Sequence, residues 1–224
     1  MFKAYVFDLY GTLINENDID RAAEKLYPGR GVLLGSIWRD KQNEYTLLRQ
    51  IMGRYRPFNE IALDSLRYAA GAAQIKLSPD AERWLMEGYN HLPPFADSAY
   101  LLQELKQKGY KTIILSNGSA DMITPLLRNS GLEPYIDLAI SVDEIRQYKP
   151  APAAYSLVLD HTGLRREDVL FIAAHGWDTS GAASFGFRTA WINRNGQPQE
   201  ELQQPPNYEL PSLAAVLPAT TPPN

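Results

Sequence analysis

The sequence predicts an α/β fold, a doubly wound parallel sheet with an inserted helical cap domain. Three observations lead to this prediction. Beyond residue 93, short apolar runs alternate with helical patterns, which is typical of parallel strands joined by right-handed crossovers. Before that point, one apolar run at residues 4–8 is followed by a long segment with helical periodicity only. The length of 224 residues allows one core and one sizeable insertion.

The domain boundaries follow from the changes in periodicity. We assign residues 1–14 and 93–198 to the α/β core and residues 15–92 to the helical cap domain. Residues 199–224 are rich in Pro and Gln, so we expect an irregular C-terminal tail. A cap inserted after the first strand would lie above the carboxyl ends of the strands, where such folds bind ligands.

The elements can be predicted in chain order. Residues 4–8, Ala-Tyr-Val-Phe-Asp, form an apolar strand that ends in an acid. In the cap, apolar residues at helical spacing predict helices over 32–53, closed by Gly53, and over 59–74. Ser78-Pro79 has the N-cap and first-turn residues of a third cap helix. The core then continues with helix 97–108, strand 111–115, helix 120–130, strand 137–141, helix 152–161, strand 169–173, helix 179–185 and strand 188–192.

The composition excludes several classes of function. The formal net charge is -4, so nothing indicates a basic surface for nucleic acid or an anionic membrane. The chain has no cysteine, which excludes disulfides, thiolate metal sites and a cysteine nucleophile. No window approaches the roughly 18 apolar residues of a membrane helix. The first residues lack a basic segment followed by an apolar one, and we therefore expect a cytoplasmic protein.

Polar residues follow the apolar runs of the core. Asp8, Ser116 with Asn117, Lys149 and Asp178 each come after a predicted strand. Because the carboxyl ends of parallel strands meet at one edge of a sheet, we expect these side chains to converge. A carboxylate that is desolvated, oriented and paired with a lysine can attack an electrophile and form an ester or an acyl phosphate. The pattern therefore predicts nucleophilic catalysis, with Asp8 as the candidate nucleophile.

The motifs around these residues resemble those of the haloacid dehalogenase superfamily. The four matching segments are Asp8-Leu9-Tyr10-Gly11-Thr12-Leu13, Leu115-Ser116-Asn117-Gly118, Lys149-Pro150 and Gly176-Trp177-Asp178. Within that superfamily the chain is similar to the L-2-haloacid dehalogenases, because Trp38-Arg39 and Glu44-Tyr45-Thr46 resemble their arginine-bearing cap helix. The resemblance covers about residues 3–195 and implies a Rossmann-like core.

The resemblance implies an activity and a set of catalytic residues. The reaction would be hydrolytic dehalogenation of short L-2-haloalkanoic acids to D-2-hydroxy acids through an ester on Asp8. Thr12 would orient Asp8. Lys149 and Asp178 would form an ion pair that holds the nucleophile and helps to activate the hydrolytic water.

The resemblance also implies how a small halogenated carboxylic acid would bind. The leaving halide would be cradled by Arg39, Asn117 and Trp177. The substrate carboxylate would be held by Ser116 and by backbone amides near Leu9, Tyr10 and Asn117. The remaining implied site residues are Tyr10 and Phe58 on the pocket wall and Tyr155, which matches a tyrosine of the family six residues past its lysine. By the same resemblance we expect a homodimer.

Tyr10 distinguishes this chemistry from phosphate hydrolysis. Phosphatases of the superfamily usually carry a second Asp two residues after the first, which protonates the departing alcohol, and here that position is Tyr10. An alkoxide leaving group needs a proton, whereas a halide needs only a cationic, hydrogen-bonding cradle. The fourth motif also keeps a single acid, Asp178, beside Trp177. With Lys149 nearby, we expect the charges to balance without a divalent ion and predict no metal and no cofactor.

The chain departs from the family pattern just before the fourth acid. Ala173 and His175 replace a Ser and an Asn of the L-2-haloacid dehalogenases. We expect these replacements to affect hydrolysis of the ester and the range of substrates more than the identity of the nucleophile. His175 could act as a base, since a histidine pKa lies near neutrality, or it could only pack against the acid. We include it among the residues that would contact substrate.

Two other functions remain open at this stage. The first is a phosphatase of the same superfamily that acts on a small phosphorylated metabolite, which Tyr10 disfavours. The second is a non-catalytic ligand-binding protein, which the joint presence of Asp8, Ser116, Lys149 and Asp178 disfavours.

Overall fold

A computed structural model describes residues 2–221 and contains one six-stranded sheet. The strand order is β3-β2-β1-β4-β5-β6, and all neighbouring strands are parallel. The strands are β1 (Ala4–Phe7), β2 (Lys111–Ser116), β3 (Leu138–Ser141), β4 (Val169–Ala173), β5 (Arg188–Ile192) and β6 (Tyr208–Leu210). The predicted doubly wound α/β fold is confirmed. The first strand lies between β2 and β4, so the order reverses at β1, where such sheets form a crevice for ligands.

Helices cover the sheet because its central strands are buried along their whole length and need apolar partners. The core helices are α5 (Ser98–Gln107), α6 (Ala120–Asn129), α7 (Pro152–Thr162) and α8 (Gly176–Phe185). Most predicted bounds agree within one or two residues. The prediction for α8 was wrong at its start, because the helix begins at Gly176 and not at residue 179. Asp178 therefore lies in the first turn of a helix.

The segment between β1 and β2 is helical, as predicted. It contains α1 (Asp18–Leu26), α2 (Gly31–Ile51), α3 (Phe58–Ala72), α4 (Pro79–Gly88) and a short 3-10 helix (Tyr89–His91). Ser78 caps α4, since its hydroxyl accepts a hydrogen bond from the Ala81 amide at 3.2 Å. Buried Trp38 joins α2 to α3 through an indole N–H that donates to the Ala62 carbonyl at 2.7 Å. No helix of residues 2–221 is long and apolar enough to cross a membrane.

The C-terminal tail is more ordered than the sequence predicts. Instead of an irregular segment, it adds β6 to the sheet and ends in a 3-10 helix (Leu213–Ala215) and α9 (Val216–Thr220). The prediction was wrong because the apolar residues from Leu210 onward are buried against β5 and α5, which stabilises the tail despite its Pro and Gln content. Residues 222–224 of the predicted tail lie outside the described residues.

Candidate active site

Asp8 follows β1 and lies at the centre of the crevice, where it is 7% exposed. Its two carboxylate oxygens have different partners. The Thr12 hydroxyl donates to Oδ2 at 2.9 Å, and the Lys149 ammonium donates to Oδ1 at 2.9 Å. Thr12 is itself held by the amide of Ala174, which donates to its hydroxyl oxygen at 2.9 Å. Asp8 is thus both oriented and paired with a cation, the two conditions for a nucleophilic carboxylate.

Lys149 links the two acids of the site. Its Nζ donates to Asp8 at 2.9 Å and to Asp178 at 2.5 Å, and all three side chains are buried. The Lys149 amide donates to Oδ1 of Asn117 at 2.9 Å, so the end of β2 positions the lysine loop. Tyr155 donates its hydroxyl proton to Oδ1 of Asp178 at 2.7 Å. The second acid is therefore held from two sides.

Burial and charge shift the pKa values of Asp8, Lys149 and Asp178 in opposite directions. Burial alone would raise the pKa of Asp8, but Lys149 and the nearby His175 outweigh it and hold that pKa well below its usual range. Burial would lower the pKa of Lys149, but the carboxylates of Asp178 and Asp8 raise it. Burial raises the pKa of Asp178, against the lowering effect of Lys149. At neutral pH the site therefore offers an ionised Asp8 beside an ammonium.

An aromatic wall adjoins the nucleophile. Tyr10 stacks on Phe58 with ring centroids 6.3 Å apart and meets Tyr89 edge-on at 5.9 Å. Its hydroxyl is buried without a hydrogen-bond partner, and burial raises its pKa. A buried, neutral phenol is a weak acid, so Tyr10 does not replace the acid that an alkoxide leaving group needs.

Comparisons with known proteins identify the family. The model of the haloacid dehalogenase-like hydrolase family matches residues 2–186. The chain belongs to this family. The resemblance predicted from the four motifs is confirmed.

Individual relatives of this haloacid dehalogenase-like hydrolase cover nearly its whole length. It is 40% identical over 215 residues to haloacetate dehalogenase H-2 of Moraxella sp. (strain B), which is 96% of each chain. It is also 40% identical to the (S)-2-haloacid dehalogenase of Pseudomonas sp. (strain YL), over 96% of this chain and 93% of the relative. A solved L-2-haloacid dehalogenase from Xanthobacter autotrophicus, with chloropropionic acid covalently bound, has a TM-score of 0.93 at 34% identity and covers 99% of this chain and 100% of that one.

The hydrolase brings most of the predicted site residues together. The side chains of Asp8, Thr12, Asn117, Lys149, Asp178 and Tyr155 form the hydrogen-bonded cluster described above. Leu9 is fully buried behind it. Ser116 is also buried, and its hydroxyl oxygen accepts the Gly118 amide proton at 3.0 Å, which shapes the turn after β2. Tyr155 contacts Asp178 and not the pocket wall, so the structure places it as a support for the acid.

Arg39 has a partner that the sequence did not predict. Its two terminal nitrogens donate to the two carboxylate oxygens of Asp20 on α1, at 2.5 and 2.9 Å. Asp20 lies close to the backbone of α2 because Gly35 has no Cβ at the contact. The guanidinium is thereby fixed in one plane. Its predicted contact with a halide stays a prediction.

His175 lies beside Trp177 and approaches the carboxylate oxygen of Asp8 that Lys149 does not bind. Their rings are 5.9 Å apart, and Trp177 is half-buried. The imidazole Nδ1 lies 3.7 Å from Oδ2 of Asp8, and Nε2 lies 3.6 Å from Oε1 of Glu16. Glu16 was missed by sequence reasoning. The turn at Gly11, which has φ +77, reverses the chain after β1 and is the one signal that residues 14–16 return to the site.

No cluster of three or more His, Cys, Asp or Glu side chains that could hold a metal ion occurs within residues 2–221.

Proposed function

We propose that the chain hydrolyses short L-2-haloalkanoic acids to D-2-hydroxy acids through a covalent ester on Asp8. The observation that carries the proposal is the buried Asp8–Lys149–Asp178 trio beside a neutral Tyr10. It is supported by the full-length similarity to proteins named (S)-2-haloacid dehalogenase and to a solved L-2-haloacid dehalogenase with chloropropionic acid covalently bound.

The first half-reaction is displacement of the halide by Asp8. One carboxylate oxygen bonds to the α-carbon, the carbon–halogen bond breaks, and the stereocentre inverts once. The leaving halide carries its own charge away and needs no proton, which fits the absence of an acid at Tyr10. We assign Arg39, Asn117 and Trp177 to the halide, and Ser116 with the amides near Leu9 and Tyr10 to the substrate carboxylate.

The second half-reaction is hydrolysis of the ester. Water attacks the carboxyl carbon of Asp8, so the oxygen that leaves with the product comes from the enzyme. Lys149 stays beside Oδ1, where its ammonium can stabilise the charge of the tetrahedral intermediate. Asp178 and Tyr155 keep the ammonium in place.

Halide release from L-2-chloropropionate tests the proposed function. We expect release from the L enantiomer with formation of D-lactate, much slower release from the D enantiomer, and neither from Asp8→Asn. p-Nitrophenyl phosphate, assayed in parallel, should stay intact. Phosphate release without halide release would make the chain a phosphatase.

The same assay tests metal independence. Lys149 already neutralises one charge of the two carboxylates that a divalent ion would need as ligands, so we propose that dehalogenation needs no metal. Activity should be unchanged after exhaustive chelation and dialysis. Loss of activity that Mg²⁺ restores would contradict this proposal.

We further propose a homodimer, as the family resemblance implies. The last two turns of α2 and the residue after it expose four neighbouring apolar side chains, between 41% and 72% exposed, namely Leu47, Leu48, Ile51 and Met52. Contiguous apolar surface of this kind is typical of protein interfaces.

A further inference from the structure

His175 connects the nucleophile to a second acid. Its two ring nitrogens lie 3.7 Å from Asp8 and 3.6 Å from Glu16, so the imidazole stands between two carboxylates. These are ion-pair distances. Direct proton transfer needs a small closure of the ring or one bridging water. The ring fits here because a Cβ at Gly11 would lie 2.7 Å from its Cε1.

The pair is open to a cavity. Glu16 and His175 line this cavity of about 270 Å³ between the loops that follow β1 and β5. The two side chains are 22% and 30% exposed, so the cavity is in contact with solvent. Solvent can therefore take up a proton that His175 releases.

The other charged groups around His175 come from four elements. Arg194, after β5, lines the same cavity but is paired with Asp97 at 3.4 Å. Lys149 binds the other carboxylate oxygen of Asp8, and Glu200 from the tail packs against Gly176. Asp8 and Glu16 are thus the two carboxylates at ion-pair distance from the ring.

These two carboxylates control the protonation of His175. Burial would lower its pKa, but Asp8 and Glu16 outweigh burial and raise the pKa to about 10. Alkylation converts Asp8 into a neutral ester and removes one of the two. Lys149 keeps Asp178 as a counter-charge but loses its second carboxylate, which further disfavours a second cation nearby. The pKa of His175 must fall when the ester forms.

We propose that His175, held by Glu16, forms a proton relay that becomes active when Asp8 is alkylated: it gives up its Nδ1 proton to solvent and then acts as the base that activates water for ester hydrolysis. The proposal rests on the proposed dehalogenation, because that reaction supplies the ester. In the free enzyme the imidazolium helps to keep Asp8 ionised. In the ester it loses the proton of Nδ1, the nitrogen that faces Asp8, and keeps the proton of Nε2, which Glu16 holds. His175 is then a neutral base beside the carboxyl carbon.

The steps balance. Asp8 displaces the halide and becomes an ester, and His175 releases one proton to solvent. Neutral His175 then takes a proton from the water that attacks the ester carbon. The tetrahedral intermediate collapses with loss of the product alkoxide, which takes the remaining proton from the new carboxyl group. Asp8 is again a carboxylate, His175 is again an imidazolium, and the net products are hydroxy acid, halide and one proton.

The timing of proton release tests the relay. In a single turnover at pH 8, with enzyme in excess and an indicator dye in weak buffer, we expect the wild-type protein to release its proton together with the halide. In His175→Asn the proton should appear only with the hydroxy acid. Hydrolysis should slow on the order of 10²-fold, as for loss of a general base, and the alkylated Asp8 peptide should accumulate.

Two more variants separate the relay from a structural role. In Glu16→Gln, which keeps the shape but removes the charge, less of His175 starts protonated, so a smaller share of the proton should appear with the halide and the rest with the hydroxy acid. Imidazole added to His175→Asn should speed hydrolysis. His161→Asn is the matched control, because His161 forms a similar pair with Glu144 at 2.8 Å outside the site, and its timing should equal wild type.

Three results would overturn the relay. The first is a wild-type proton that appears only with the hydroxy acid, since His175 would then stay protonated in the ester. The second is wild-type hydrolysis in His175→Asn. The third is absence of any halide release by the wild-type protein, which would also overturn the proposed function. Normal halide release with either of the first two results removes the relay alone.

Discussion

At the scale of single residues, the charges of the site change together during the reaction. Asp8 and Asp178 share the ammonium of Lys149, and the imidazolium of His175 balances the remaining negative charge. When the ester forms, each of the two cations loses one of its two carboxylate partners. Imidazolium is a stronger acid than ammonium, so His175 and not Lys149 gives up the proton. The ion pair that stabilises the resting enzyme therefore also provides the base for the second step.

A substitution of Arg39 tests whether its guanidinium binds the leaving halide. Its planar guanidinium binds both oxygens of Asp20, at 2.5 and 2.9 Å, which a lysine cannot reproduce. We expect Arg39→Lys to lower kcat on the order of 10²-fold, by analogy with loss of an oxyanion donor. Arg67→Lys is the control, because Arg67 binds Glu82 in the same two-point manner on the exposed surface. Near-wild-type turnover in Arg39→Lys would remove Arg39 from the halide site.

The raised pKa of His175 predicts a pH-dependent stability. A group whose pKa is higher in the folded protein stabilises it fully below the unfolded pKa of 6.5 and loses that effect as the pH rises to about 10. The free energy of unfolding of wild type minus that of His175→Asn should therefore shrink between pH 6.5 and 10. We expect a change on the order of 2 kcal/mol, reduced by partial solvation. Urea unfolding at both pH values measures it, and an equal difference at both would contradict the ion pair.

The predictable residues of the site are those whose place is fixed by the sheet. Asp8 follows β1 directly, and Asn117 follows β2, so the sequence places both at one edge. Glu16 and Asp20 could not be found in this way. They reach the site through the turn at Gly11 and through the packing of α1 on α2, which are tertiary effects without a periodic signal.

At the scale of elements, α8 shows why a helix that bears catalytic groups is hard to predict. It contains Gly176 and Gly181, and glycine is unfavourable inside helices. Gly181 is needed for packing, because a Cβ there would lie 2.5 Å from the Tyr155 hydroxyl that holds Asp178. Close contact between α7 and α8 is therefore part of the site, at a cost in helix propensity that led the sequence prediction to start α8 too late.

The C-terminal elements give a prediction of stability. Leu213 is fully buried, whereas Leu202 in the same tail is 56% exposed. Leu213→Ala should lower the free energy of unfolding by about 3 kcal/mol, the usual cost of a cavity in a core. Leu202→Ala should stay within about 0.5 kcal/mol of wild type. Denaturant unfolding compares the two, and equal small effects would show that the tail does not contribute to the core.

At the scale of the whole molecule, the sheet and the inserted helices contribute different residues to the site. The sheet supplies the polar and charged groups through the segments that follow β1, β2, β3 and β4, and the inserted helices supply Arg39 and Phe58. The division into a core of 1–14 and 93–198 and a cap of 15–92 stays a prediction. The sequence could predict this architecture because the periodicity changes at both ends of the insertion. It could not predict the ordered tail, because the short apolar segments of the tail are stabilised by tertiary contacts with β5 and α5 and have no periodic pattern of their own.

The proposed dimer predicts a change in molecular mass. In a two-fold symmetric dimer the same patch of each subunit contacts its copy, so one substitution on α2 changes the interface at two positions. Leu47 is 51% exposed in the proposed patch, and Leu202 is 56% exposed elsewhere, so they form a matched pair. Leu47→Lys places two like charges in the interface and should shift the protein from dimer to monomer, while Leu202→Lys should stay a dimer. Light scattering coupled to gel filtration measures both masses, and circular dichroism confirms that each variant is folded. A monomeric wild-type protein would contradict the proposed dimer. A Leu47→Lys variant that is still a dimer would show that the interface does not include this patch of α2.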